Sequence, residues 1–134
     1  MAKFPQREWL EAFQEKLNQD SHYAEIAKNW EGDMVFEIDP GGNLKEAVIF
    51  YLDLWHGACR GYEYFQGETD KKAAFTLQGL YTEYVRLLNG ELEPMQAMLT
   101  RKLNLRGNMA ILMRNIPVVL DFVRCAREVT DSWE

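Results

Sequence analysis

At 134 residues and 15.7 kDa the chain has the length of one domain, since a single core stops growing only near roughly 250–300 residues. A composition that is 47% hydrophobic and 13% aromatic excludes a disordered chain, and the longest run free of charge, Ala73 to Thr82, excludes the ~20 apolar residues of a membrane-spanning helix. Residues 1–93 carry 9 Lys and Arg against 17 Asp and Glu, a net of −8, and residues 94–134 a net of +2; this lacks the basic footprint of a nucleic-acid binder but leaves a basic end that an anionic head group can meet.

In chain order, Trp9, Leu10, Phe13 and Leu17 share one face of an amphipathic helix predicted from Pro5 to Asn18. Asp20-Ser21-His22 ends it and caps a second helix with Tyr23, Ile26, Ala27 and Trp30, which Gly32 stops. The period then changes from 3.6 to 2. Met34, Phe36 and Ile38 alternate with mostly polar neighbours over Asp33–Asp39, the pattern of a half-buried strand, and Pro40-Gly41-Gly42-Asn43 turns the chain. Ala47–Trp55 and Ala58–Phe65, parted at Gly57, read as a hairpin, and Ala73–Gln78 as a fourth strand. After Gly79 the helical period returns in Tyr81, Tyr84, Val85 and Leu88 and stops at Asn89-Gly90. Pro94 opens a short helix with Met95, Met98 and Leu99 on its inner side, and Leu103 and Leu105 mark a fifth strand ended by Gly107. Met109, Leu112, Met113 and Ile116 form one helical stripe; Pro117 kinks or restarts the helix, and Val119, Phe122, Val123 and Ala126 form another, expected to pack on the domain. The amino-terminal residues lack the apolar run of a secretory signal, so the expected compartment is cytoplasmic, with Cys59 and Cys125 as free thiols.

The stretch from Leu88 to Met113 resembles the signature of the sterol carrier protein type 2 domain family. A helix ending at Gly90, a short helix from Pro94, a Lys102-Leu103 strand, a Gly107-Asn108 turn and a Met109-rich closing helix follow in that family's order, and the element order from Trp9 to Gln78 is compatible. Two departures stand out: Arg101 occupies a position where the family usually has Gly, and the helical tail from Pro117 to Glu134 runs past the usual end. The resemblance implies an α+β fold over residues 1–134, with a mixed five-stranded sheet covered on one face by helices, an internal apolar cavity, and residues 118–134 as a helical C-terminal extension. It implies a lipid-binding or lipid-transfer protein for a sterol, fatty-acyl or similar ligand, without metal, cofactor or catalysis. The alternative is a non-catalytic accessory module that presents a lipid-like intermediate to partner enzymes.

Phe36, Phe50, Trp55 and Phe75 are expected to form the sheet floor of the cavity. Met95, Met98, Leu99, Met109, Leu112 and Met113 are expected to line its other side, because methionine is a flexible, polarizable filler suited to varied ligands. Periodicity alone reads the same residues as ordinary packed core and leaves open which face of the second strand turns inward. Arg101, Lys102 and Arg106 either receive a carboxylate, phosphate or coenzyme A group at the mouth or form a solvated basic edge. The expected partner is an apolar ligand and not nucleic acid, with transient membrane contact and a protein partner left open. Asp53, His56 and Cys59 are the candidates for a base and thiol, but strand alternation sets Asp53 and His56 on opposite faces. His22 and His56 stand alone, without the spacing of a metal site, and no glycine-rich loop opens a helix.

Overall fold

The computed structural model describes residues 2–134. A two-residue strand, β1 (Lys3–Phe4), leads into helix α1 (Arg7–Gln19), which buries Trp9, Leu10, Phe13 and Leu17 as one apolar stripe. Asp20 caps α2 (Ser21–Ile26) by accepting a 2.9 Å hydrogen bond from the Tyr23 amide, satisfying one of the amides a helix start leaves free. Strands β2 (Met34–Asp39), β3 (Val48–Trp55), β4 (Ala58–Gln66) and β5 (Phe75–Leu80) follow. The β3–β4 turn uses positive φ at both His56 (49°) and Gly57 (82°), the backbone that matches strand twist. Gly57 is required there, because a Cβ would sit 2.6 Å from the Ala24 carbonyl oxygen.

Helices α3 (Tyr81–Leu88) and α4 (Pro94–Leu99) precede the short β6 (Leu103–Arg106); α5 (Met109–Met113), α6 (Ile116–Val129) and β7 (Ser132–Trp133) complete the chain. Pro117 restarts the helix: α5 stops at Met113, and the proline sits in the first turn of α6, where its missing amide is no loss. Helix α3 ends on Gly90 at φ 88°, and α4 ends the same way on Arg101 at φ 60°, with the Arg101 and Lys102 amides returning to the carbonyls of Met98 and Ala97.

The main sheet has the order β4-β3-β2-β5-β6, antiparallel except for the parallel β2–β5 pair. Alternation turns Phe36, Ile38, Phe50, Leu52 and Leu77 toward the helices, where they join one core cluster with α1 and α6. The other face is largely polar: Arg106 bonds Glu37 at 2.9 Å, and Lys71 lies 4.2 Å over the Tyr51 ring. A second ladder, unforeseen from sequence, pairs β1 with β7 in parallel, Lys3 opposite Ser132 and Phe4 opposite Trp133. Two-residue strands offer no alternation to read.

Candidate functional site

Between the sheet and the helices lies a cavity of about 100 Å³. Its floor is Phe36, Ile38, Phe50, Leu52 and Leu77; Trp9 and Phe13 of α1 and Tyr23 of α2 stand on one side. Tyr84 of α3, Met98 of α4, Leu105 of β6 and Leu112 of α5 stand on another, and Val119, Phe122 and Val123 of α6 close over it. Phe122 is the hub of this wall, stacked on Phe36 at 5.8 Å and edge-on to Phe13 at 4.9 Å.

The wall offers few hydrogen-bonding groups. Trp9 Nε1 donates to Thr130 Oγ1 at 2.8 Å, Trp30 Nε1 to the Gly32 carbonyl at 2.9 Å, and the Tyr84 hydroxyl to the Leu77 carbonyl at 2.8 Å. Burial pushes the Tyr23 and Tyr84 phenols well above the usual tyrosine value, so both rings stay neutral. Among the described residues no fully buried side-chain nitrogen or oxygen lacks a partner. A space walled this way selects by shape and apolar area.

Of the ten residues singled out from sequence, the structure brings Phe36, Phe50, Met98 and Leu112 together around the cavity. The other six lie elsewhere. Trp55 is five residues from Phe50, so alternation turns it to the opposite face, where it is 38% exposed, stacks on His56 and carries the Arg60 guanidinium at 4.8 Å. Phe75 is buried against Trp30 at the strand's far end, filling the space beside Gly107. In α4 the inner positions are Pro94, Ala97 and Met98, which leaves Met95 half-buried and Leu99 72% exposed. In α5 Leu112 turns inward and Met109 and Met113 turn out. The wall residues not anticipated, chiefly Trp9, Phe13, Leu52 and Phe122, all carried a readable signal as the buried stripe or alternate face of their elements.

Polar candidates are each engaged locally. Asp53 pairs with Arg60 at 3.1 Å, His56 bonds Glu31 at 2.6 Å, and the Cys59 thiol donates to the Gly61 carbonyl, with burial pushing it up to about 11. Asp20, Asp121 and Cys125 converge between α1, α2 and α6, but the Arg124 guanidinium lies among them, 2.7 Å from each carboxylate, and His22 bonds Asp121 at 2.9 Å. Arg101 and Lys102 follow α4, while Arg106 is held on the far side of the sheet by Glu37.

The fold and cavity define a class of small α+β domains with an apolar interior held between one sheet face and its helices. Within that class the chain belongs to the SCP-2 sterol transfer family, whose model matches residues 10–119. It is similar to a crystal structure of sterol carrier protein 2, with 32% identity and a TM-score of 0.87, over 96% of this chain and 100% of that one. A solution structure from Thermus thermophilus, described as possibly a sterol carrier protein, is 31% identical with a TM-score of 0.86, over 98% and 93%. The sterol carrier protein domain 2 of Helicoverpa armigera shares the fold at 20% identity and a TM-score of 0.61, over 98% of each chain. No protein of curated function matches the sequence. Among the described residues no helix is long and apolar enough to cross a membrane.

Proposed function

We propose that this protein binds a single lipid with its apolar part in the cavity between the sheet and α6, and carries or presents it without changing it covalently. The observation that carries this reading is the wall itself: aromatic and aliphatic side chains around about 100 Å³ of space, with the Trp9, Trp30 and Tyr84 donors already used by the protein. A dry apolar void of ~150 Å³ holds one benzene, so the space as it stands takes only a segment of a lipid and the wall must part for the rest. Helices α4 and α5 yield most readily, because α4 buries only Pro94 and Ala97 and α5 only Leu112.

The experiment is direct. An organic extract of the purified protein is read by mass spectrometry, and the delipidated protein is titrated with a fluorescent fatty-acid probe. Each buried methylene is worth ~0.8 kcal/mol, so a chain of about sixteen supplies roughly 13 kcal/mol and leaves about 8 kcal/mol, micromolar binding, after an association cost of about 5 kcal/mol. A saturable signal displaced by unlabelled lipid is expected. A folded, delipidated sample with no such signal overturns the reading, and an equimolar protein partner found in place of lipid favours the accessory role.

A further inference from the structure

Three tyrosines have buried side chains: Tyr23, Tyr81 and Tyr84. Tyr81 donates to the Glu134 carbonyl at 3.0 Å and Tyr84 to the Leu77 carbonyl at 2.8 Å. Tyr23 is the most deeply buried of the three at 1% exposed; its amide is held by Asp20, but among the described residues its hydroxyl bonds nothing. Buried polar groups left without a partner are rare in folded proteins and call for a cause. The hydroxyl is not sealed in protein, because among the described residues no fully enclosed side-chain oxygen lacks a partner. It therefore borders open space, and the space that Tyr23 lines is the cavity.

The protein offers this hydroxyl little of its own. The groups whose charge its phenol feels are the Cys59 and Cys125 thiols and the Asp121 carboxylate. The Cys59 thiol donates to the Gly61 carbonyl at 3.3 Å, and the Cys125 sulfur receives the Arg124 guanidinium at 3.6 Å. Burial pushes both thiols up to about 11, so neither ionises near neutrality. Asp121 is taken by Arg124 and His22. A buried water is usually held by about three partners, and one beside Tyr23 would find few, because Trp9, Trp30 and Tyr84 are already engaged within the protein. No Lys, Arg or His lines the cavity, and the carboxylate whose charge reaches Tyr23 is negative.

We infer that Tyr23 is the polar anchor of the cavity and selects a lipid whose buried end carries a neutral oxygen, a hydroxyl or a carbonyl. The inference rests on the lipid-binding reading of the same cavity. Tyr23 Oη donates to that oxygen, and with a ligand hydroxyl the bond runs either way, because a phenol both donates and accepts. The anchor is held in place before the ligand arrives: the Tyr23 amide bonds Asp20 at 2.9 Å, and its ring packs on Phe122 with centroids 6.3 Å apart. A carboxylate is disfavoured at this end, since it would be desolvated with no cation beside it and with Asp121 near. A plain hydrocarbon is disfavoured as well, because it seals the hydroxyl away without a partner. The oxygen thus lies on the α2 side, and the chain crosses the floor toward Met98 and Leu112.

The test sets decanol, decane and decanoate as competitors of the fluorescent fatty-acid probe, on the unaltered protein and on Tyr23→Phe. Losing one partner of a buried bond should weaken decanol about tenfold in Tyr23→Phe. Decane should bind the variant as tightly as before or more tightly, and decanoate, with its head outside the cavity, should be unchanged within about twofold. Melting without ligand gives a second readout. Tyr23→Phe removes a hydroxyl that bonds nothing and should melt no lower than the unaltered protein, whereas Tyr84→Phe loses its bond to the Leu77 carbonyl and should melt lower. The inference is overturned if the ratio of decanol to decane affinity is the same in Tyr23→Phe as in the unaltered protein. It is equally overturned if Tyr23→Phe melts as low as Tyr84→Phe, which would make the hydroxyl a bonded part of the core. In both cases the lipid-binding reading stands as long as the probe binds and is displaced; an unaltered protein that takes up neither probe nor competitor overturns the two together.

Discussion

Met98 and Met113 sit on the same two-helix wall, and one kind of substitution separates them. Met98 faces the cavity, so Met98→Trp puts a ring into the void; probe affinity should fall at least about tenfold, with a stability change near 1 kcal/mol because empty space tolerates bulk that a packed core resists. Met113 is 46% exposed, and Met113→Trp should leave both within experimental error, or within about 0.5 kcal/mol. Titration and thermal melting on the same samples check both, and a loss of probe binding in Met113→Trp would show that the ligand reaches past Leu112. Arg124 is the other residue with a sharp expectation. It bonds Asp20, Asp121 and Glu128, and Asp121 is only 6% exposed. Arg124→Met leaves that carboxylate with His22 alone and should cost about 1–3 kcal/mol, measured by chemical denaturation.

At the level of elements, α6 is both wall and scaffold. Val118, Val123 and Ala126 are buried and line the cavity, and Phe122 stacks on the sheet, so a chain ending at Ile116 should aggregate and not merely lose an appendage. Removing only residues 131–134 deletes β7 and the bonds from the Asp131 and Glu134 amides to the Ala2 and Phe4 carbonyls; a melting point lower by roughly 5–10 °C with the fold retained is expected. Helices and strands are legible in the sequence where the period is clean, as in Trp9, Phe13 and Leu17 for α1 and Met34, Phe36 and Ile38 for β2. By contrast, β3 shows only as a run of β-branched and aromatic residues, with Val48, Ile49 and Phe50 all buried, and α2 stops at Ile26, short of the predicted Trp30. The cavity wall is less legible. Met109 and Leu112 are equally apolar, and only packing against α6 decides that one turns in and the other out. Trp55 is a different case: counting alternate positions from Phe50 excludes it from the floor without any coordinates.

For the whole molecule, the charged network between α1, α2 and α6 sets the acid side of stability. Arg124 beside Asp20 and Lys16 beside Glu128 hold both carboxyls below their ordinary values; burial pushes Asp121 up, but its bonds to Arg124 and His22 prevail and hold it low as well. Carboxyls depressed in the folded state contribute stability that is complete above the unfolded values near pH ~4 and is lost as pH falls toward the folded ones. The melting temperature should therefore be flat through neutrality and drop below about pH 4, and the drop should be shallower in Arg124→Met. The β1–β7 ladder has a consequence of another kind. Its two strands run the same way, and each joins one end of the chain to the domain: Ala2 and Phe4 on one side, Asp131 and Glu134 on the other, with Tyr81 bonding the Glu134 carbonyl at 3.0 Å. A pull that separates the two ends slides parallel strands past one another and does not unzip them, so these bonds bear the load together and must fail together. Stretched between its ends, the domain should resist tension up to one sharp rupture, with the apolar cavity intact until that ladder breaks.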